Sequence, residues 1–578
     1  MKYKCDTIIT ENYLYNLLKK RGVNEIDGFL HPNSTSLINP FCLDNIAAAA
    51  SNLVKAIEED WHICIIVDCD TDGYTSAAML WNYIKDYKSD AHLTYKIHEG
   101  KEHGLSDLID EILEDRTIKL VVLPDAGSSD EVYYEQLFDA GIQAIYIDHH
   151  EAEAYSNYAI GVNNQLSNNY ENKALSGAGV VFKFLQILDG ILERNNAYDY
   201  LDLAAVGIVA DCMLLNTLEN RFIVHYGLSH IRNNGLQELL NKQAFVISDI
   251  DNPTSTDISW SIAPLINAMV RIGRQDEKDL MFQSFIDGKK MIPKISRGKV
   301  VPDRYESVGE QSARNCYNAK NRQDSAVEKH IDMLEYEIIK NSLDENKIIV
   351  LDVTEENINS TLTGLLAMKL AAKFKKPVLL GRLDDNGYLR GSGRSETKEG
   401  FTDLRQYLLD SGYFEYVRGH ANAHGFSINE SNIDSFLDKT NNALKHINFE
   451  ENFYPVDFIM DGKNEELKTI INELGDVPQL WGAGVEEPRI AIENIRIKST
   501  DINICGKNLD TLRFTYNNVT YIKFHAKDLI EEIENAGDVI NITIIGAPNV
   551  NHFRGVDSPQ IMIKGYEIDT IFNDIMSF

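Results

Sequence analysis

Residues 62–73 read HICIIVDCDTDG, a short apolar run that gives way at once to alternating aspartates and a glycine. A run of this length bounded by turn residues reads as a β-strand buried on both faces. The arrangement recurs in KLVVLPDAG at 119–127 and in AIYIDHH at 144–150. Between these runs lie segments with helical periodicity, such as TSAAMLWNYIKDY at 75–87. Strands that alternate with helices call for a parallel sheet covered on both faces, because parallel neighbours are joined by helical crossovers.

Working outward from this stretch, the expected fold class is α/β with five segments. Residues 1–50 are polar with short apolar patches and read as an N-terminal helical cap that leads into DNIAAAASNLVKAI at 44–57. Residues 51–290 form the parallel-sheet domain, with further helices at 177–194 and 201–209 and around 221–242. Strand signals are sparse over 291–345, where RNCYNAKNRQDSAVEKHIDMLEYEIIKNSL predicts a long helical connector. A smaller α/β domain spans 346–447, through KIIVLDV, TLTGLLAMKLAAKF and KPVLLGRL. Over 448–578 short alternating runs (IAIENIRI, TLRFTYNN, VTYIKFHA, VINITIIGAP) predict an OB-like β-barrel.

The 578 residues are 44% hydrophobic and 25% charged, a composition that fits folded globular domains. The net charge of −32 works against non-specific binding of a polyanion, so nucleic acid would need a local basic surface or bound cations. The seven cysteines show no CxxC spacing, which argues against a disulfide framework or a thiolate zinc site and fits a reducing cytoplasm. No apolar run approaches the length of a bilayer span, so no membrane association is expected.

Chemistry concentrates where the apolar runs end. IIVDCDTDG offers Asp68, Asp70 and Asp72, VVLPDAG offers Asp125, and IYIDHH offers Asp148, His149 and His150; VGIVADCM reads as a fourth strand end carrying Asp211. In an open parallel sheet all strand C-termini face one edge, so these segments converge. Clustered carboxylates raise one another's pKa and resist joint ionisation unless cations neutralise them. A carboxylate-rich set with one or two imidazoles suits Mn²⁺ or Mg²⁺ better than zinc. A calcium-binding helix–loop–helix would need a glutamate where this chain has Met79.

These motifs in this order, with the glycine-rich LSGAGVVF at 175–182, resemble the DHH phosphoesterase family. IAPLINAMVRIG at 262–273 resembles a stretch of RecJ-type nucleases, and LRGSGRS at 389–395 with RGHANAHGF at 418–426 resembles their accessory DHHA1 domain. WGAGVEEP at 481–488 and NHFRG at 551–555 resemble landmarks of the RecJ oligonucleotide-binding barrel. The chain departs from the usual pattern at Leu265, Met269 and Val270, and at Arg418, where a glycine is usual.

The resemblance implies a metal-dependent exonuclease on single-stranded DNA, 5′ to 3′, acting in DNA repair or recombination. It implies two divalent cations, Mn²⁺ in preference to Mg²⁺, held by Asp70, Asp72, Asp125, His149 and Asp211, with Asp68 as a further candidate. His150 and Asp148 are the catalytic candidates, His150 on the phosphate and Asp148 in support. Arg271, Ser392, Arg394 and His420 are the substrate-binding candidates. The expected partner is single-stranded DNA, with a single-strand-binding protein or helicase as candidate protein partners, for a monomer in the cytoplasm. Two other readings compete: a DHH–DHHA1 phosphodiesterase acting on oligoribonucleotides or small nucleotides, and a non-catalytic replication scaffold. The long chain with its barrel favours the nuclease over the first, and retention of every expected ligand favours it over the second.

Overall fold

The computed structural model describes all residues except 7, 8, 10, 101, 297, 357, 450–452, 507, 554, 555 and 570–578, so Arg554 and Gly555 of the NHFRG stretch lie outside it. The chain divides into two compact units, Leu18–Gln323 with Gln479–Glu486, and Met1–Leu17 with Asp324–Pro478 and Glu487–Phe578.

The first unit is built on five parallel strands in the order Leu93–Ile97, His62–Val67, Ile118–Pro124, Gln143–Asp148, Ile160–Asn163. Every residue of His62–Val67 is buried. Ile63, Ile65 and Val67 face one apolar cluster together with the helices Ile46–Glu58, Thr71–Tyr87 and Gly177–Ile191, while Cys64 and Ile66 face another with Ile109, Ile112 and Leu137. Burial of each such isoleucine or valine contributes about 1.5–3 kcal/mol.

The two strands that no apolar run marks, Leu93–Ile97 and Ile160–Asn163, are the edges of this sheet. An edge strand is covered less completely, and Thr94 is accordingly exposed and Tyr95 and Lys96 half-buried. The helix expected at 201–209 is present as Leu201–Ala210 and takes in the apolar run of VGIVADCM, so the reading of that run as a strand end is corrected: Asp211 caps the helix C-terminus. That helix lies among Thr71–Tyr87, Gly177–Ile191 and Leu218–Leu228, so apart from Asp202 in its first turn it is apolar all round and shows no amphipathic period.

The connector segment opens on an antiparallel hairpin, Met291–Ser296 with Lys299–Ser307, before the 33-residue helix Val308–Lys340. The hairpin is mostly exposed, which removes the buried run by which a strand is recognised.

The second unit contains a five-stranded sheet in the order Phe414–His420, Ala423–Asn429, Tyr388–Arg394, Val378–Leu383, Ile349–Asp352. It also contains a seven-stranded sheet that includes Ile490–Lys498, Thr511–Tyr516, Val519–Lys523 and Val539–Phe553. Phe514 and Tyr521 are buried and stacked at 4.9 Å, hence core, while Phe524 is exposed. The expected helical cap begins instead on a strand, Lys2–Lys4, paired in parallel with Phe453–Pro455. No helix among the described residues is long and apolar enough to cross a membrane.

Candidate metal centre

Each acid is delivered by the end of an element and held there by backbone. Asp70 is the N-cap of Thr71–Tyr87 and accepts the Gly73 N–H at 3.0 Å. Asp72, in the first turn, accepts from the Gly177 and Ala178 N–H groups at 2.7 and 3.1 Å and from Ser176 Oγ at 3.0 Å. The N-terminus of the Gly177–Ile191 helix thus points its free N–H groups and positive dipole end at this carboxylate. Asp125 follows Ile118–Pro124 in the left-handed region, φ 70°, and donates its N–H to Ile147 O at 2.7 Å.

Asp148 Oδ1 accepts the His149 N–H at 2.7 Å, the His150 N–H at 3.2 Å and His150 Nδ1 at 2.7 Å, while Oδ2 accepts the Ser128 N–H at 2.9 Å. It therefore braces the turn that presents both imidazoles. Burial works to raise its pKa, but the hydrogen bond from His150 and the charge of the two imidazoles outweigh that and hold it well below the usual range. Burial likewise works to lower the His150 pKa, and the bond to Asp148 overcomes it, lifting His150 to about 9.

His149 Nε2 stands 3.3 Å from Asp125 Oδ1, 3.5 Å from Asp211 Oδ2 and 3.9 Å from Asp72 Oδ2. Two sets of ligand atoms, one from Asp72, His149 and Asp211 and one from Asp68, Asp70 and Asp125, each lie within 4.8 Å of one another. Burial and the neighbouring carboxylates push Asp70 up to about 6, Asp211 up to about 8 and Asp125 well above the usual range. Burial and His150 push His149 down, toward the neutral imidazole that a ligand must be. Asp125 Oδ1 is buried without a hydrogen-bond donor, a state that costs about 1–3 kcal/mol or more unless a cation fills it. Acid-rich, oxygen-dominated and holding an orphaned carboxylate oxygen, this donor set fits divalent cations.

Two glycines make the convergence possible. A Cβ at Gly177 would lie 2.1 Å from Asp125 Oδ1, and one at Gly207 would lie 2.1 Å from Asp72 Oδ1. Any side chain at either position would displace a carboxylate.

Arg271, on the helix Ala263–Ile272, is half-buried; burial lowers its pKa and the Asp70 carboxylate opposes that. Asn267 on the same helix accepts from Thr71 Oγ1 at 3.0 Å. Ser392, Arg394 and His420 lie in the second unit. Arg394 and His420 both pair with Ala423, and Ser392 pairs with Gly425, so the three share one face of the five-stranded sheet. Ser392 Oγ is 3.2 Å from Thr363 Oγ1, at the start of the helix Thr363–Phe374.

Sequence reasoning missed His103. It comes from the segment after the edge strand Leu93–Ile97, and its Nδ1 meets Asp68 Oδ2 at 2.6 Å. An unrecognised edge strand left no signal that this segment reaches the end of the central one.

Residues 62–208 match the model of the DHH family, N-terminal domain, and residues 463–565 match the RecJ OB domain. The chain is 37% identical over 563 residues, 96% of either sequence, to YorK of Bacillus subtilis strain 168, an SPbeta prophage-derived protein whose name describes a single-strand DNA-specific exonuclease. The single-stranded-DNA-specific exonuclease RecJ of the same organism is 26% identical over 572 residues, 95% of this chain and 67% of RecJ. Among solved structures, RecJ from Thermus thermophilus in complex with Mn²⁺ superposes with a TM-score of 0.72 at 19% identity, covering 98% of this chain and 79% of that one, and so shares the fold. On the full-length similarity to YorK, the chain belongs to the RecJ-like branch of the DHH family.

Proposed function

We propose that this chain is a divalent-cation-dependent exonuclease that hydrolyses phosphodiester bonds of single-stranded DNA from the 5′ end, with Mn²⁺ preferred over Mg²⁺. One observation carries the reading: Asp125 Oδ1, buried and without a donor, stands 3.3 Å from His149 Nε2 among carboxylates whose pKa values burial and mutual repulsion push up. The names of YorK and RecJ support the substrate class, and the Thermus RecJ structures in complex with Mn²⁺ and with Mg²⁺ support a divalent cation.

Asp70, Asp72, Asp125, His149 and Asp211 would hold the ions. Bound there, two divalent cations lower the pKa of a water and neutralise charge on the phosphate oxygens. His150, about half-exposed and kept protonated by Asp148, donates a hydrogen bond to a non-bridging phosphate oxygen or a proton to the leaving oxygen. Asp148 acts through the imidazoles as their positioning residue. Arg271 beside Asp70, and Ser392, Arg394 and His420 in the other unit, take phosphates of the bound strand; the guanidiniums match phosphate with a planar fork. Asp68, hydrogen-bonded to His103, lies at the margin of the ligand set.

The test is degradation of 5′- and 3′-labelled single-stranded and duplex oligonucleotides with Mn²⁺ or Mg²⁺. The expected result is mononucleotide release from the 5′ end of the single strand, faster with Mn²⁺ and lost in Asp125→Ala. Equal rates in wild type and Asp125→Ala, or no metal-dependent cleavage, would sink the reading.

A further inference from the structure

One cluster of metal-binding side chains shares only Asp68 with the ligand groups described above. Asp68 and Cys69 follow the strand His62–Val67, and His103 comes from beyond the neighbouring strand Leu93–Ile97. His103 Nδ1 is 2.6 Å from Asp68 Oδ2, and its two ring nitrogens stand 3.7 and 3.6 Å from Cys69 Sγ. One ligand atom from each of the three residues lies within 4.8 Å of the others.

A second observation comes from the other oxygen of the same carboxylate. His98 is buried, its Nε2 has no hydrogen-bond partner, and that nitrogen stands 3.9 Å from Asp68 Oδ1. Its Nδ1 meets Asp107 Oδ1 at 2.6 Å. A carboxylate on one ring nitrogen is the arrangement that fixes the tautomer of a metal-binding imidazole and leaves the other nitrogen bare.

We propose that Asp68, Cys69 and His103 form a third cation site, for a zinc-type ion, with His98 Nε2 at hand as a fourth donor. The ligand chemistry separates it from the acid-rich centre. One sulfur, one or two nitrogens and one carboxylate oxygen suit Zn²⁺, which accepts thiolate and imidazole in a four-coordinate shell, whereas Mn²⁺ and Mg²⁺ prefer oxygen. As the metal–sulfur bond forms, the Cys69 proton passes to solvent, and the thiolate and carboxylate together balance the charge of the ion. An ion held there ties the segment carrying His98 and His103 to the end of the central strand. The His103 ring lies 6.3 Å from that of His150, so the clamp forms one wall beside the catalytic histidine.

The test is titration of the metal-stripped full-length chain with Co²⁺, the spectroscopic stand-in for zinc. The expected result is a thiolate-to-cobalt charge-transfer band in the near ultraviolet that saturates with one ion per chain. The band should survive in Cys212→Ser, whose thiol is exposed, and vanish in Cys69→Ser. His103→Gln, at a half-exposed ring, should weaken the binding read from the band by at least about tenfold, and it serves if Cys69→Ser does not fold. No such band in the wild type, a band that persists in Cys69→Ser, or unchanged binding in His103→Gln overturns the proposal. Mn²⁺-dependent cleavage measured on the same wild-type sample reports on the carboxylate centre, whose proposed ligands include neither Cys69 nor His103, so the two readings fail separately.

Discussion

The carboxylate centre and the Ser392, Arg394 and His420 face both gather charge at strand ends, but they hold it differently. In the first, Asp72, Asp125 and Asp148 are each buried to about 1% exposure; Asp72 and Asp148 take backbone donors together with Ser176 Oγ and His150 Nδ1, and Asp125 Oδ1 has none. In the second, Arg394 and Ser392 are half-buried and His420 is exposed, with Arg394 Nη1 donating to Gly393 O at 2.7 Å. A buried group has no water to fall back on, so the first region is all or nothing; the second can lose one member and keep most of its grip. Rate should therefore live in the acids and binding in the cations.

The most severe way to break that contrast is Asp125→Asn. It preserves volume and removes the charge nearest His149 Nε2. A loss of about 4 kcal/mol of transition-state stabilisation, roughly 1000-fold in kcat, is expected from single-turnover cleavage rates. Gly177→Ala comes next, because its Cβ would lie 2.1 Å from Asp125 Oδ1. Displacing that carboxylate by about 1 Å should cost on the order of 100-fold in rate. The chain should still fold, which circular dichroism checks, and activity near wild type would show the site to be softer than its geometry.

These two substitutions also mark how far the sequence carries. The three central strands were legible because each is buried on both faces, and their tips named Asp68 to Asp72, Asp125 and Asp148 to His150. Asp211 was legible as a residue and the helix at 201–209 before it was expected, but the same run also read as a strand end, since a helix enclosed on all sides has the same apolar run as a buried strand. Of the two edge strands, Leu93–Ile97 was not legible because partial exposure dilutes the pattern, and Ile160–Asn163 because its four residues make too short a run; with Leu93–Ile97 went His98 and His103. The glycine requirement at 177 and 207 depends on distances between segments far apart in the chain, which no local pattern encodes.

Asp148→Asn tests the bracing rather than the ligands. With its single acceptor oxygen turned to the His149 and His150 N–H groups, the amide gives up the Ser128 N–H and no longer stabilises a charged His150. A ten- to hundredfold loss in activity or Mn²⁺ affinity is expected, as for other groups behind metal ligands. The alkaline limb of the kcat profile, set by His150 at about 9, should move to lower pH; an unmoved limb would assign that limb to another group.

The acids also predict a pH dependence of stability. With folded pKa values pushed up to about 6 for Asp70 and about 8 for Asp211, the metal-free folded chain binds more protons than the unfolded one from about pH 4 to pH 8. Their contribution is therefore fully present below pH 4 and is lost as pH rises through 6 and 8. Thermal melting of the metal-free protein should show this part of Tm falling over that window, and saturating Mn²⁺, which favours the ionised carboxylates, should flatten it. A melting profile with no Mn²⁺-sensitive slope would remove the repulsion argument.

The smallest effect belongs to the cationic face. Arg394→Lys keeps the charge and gives up the fork, and Arg394→Ala gives up both. Because these contacts hold the ground state and the transition state alike, KM should rise by about tenfold or less in either variant while kcat stays nearly constant. Salt separates the two. Each phosphate neutralised on a single strand adds roughly 0.7 to the slope of log affinity against log salt, so Arg394→Ala should flatten the slope by that amount and Arg394→Lys should leave it unchanged. If instead kcat falls by as much as in Asp148→Asn, then Arg394 helps to align the scissile phosphate, and the division between a region that sets rate and a region that sets binding gives way.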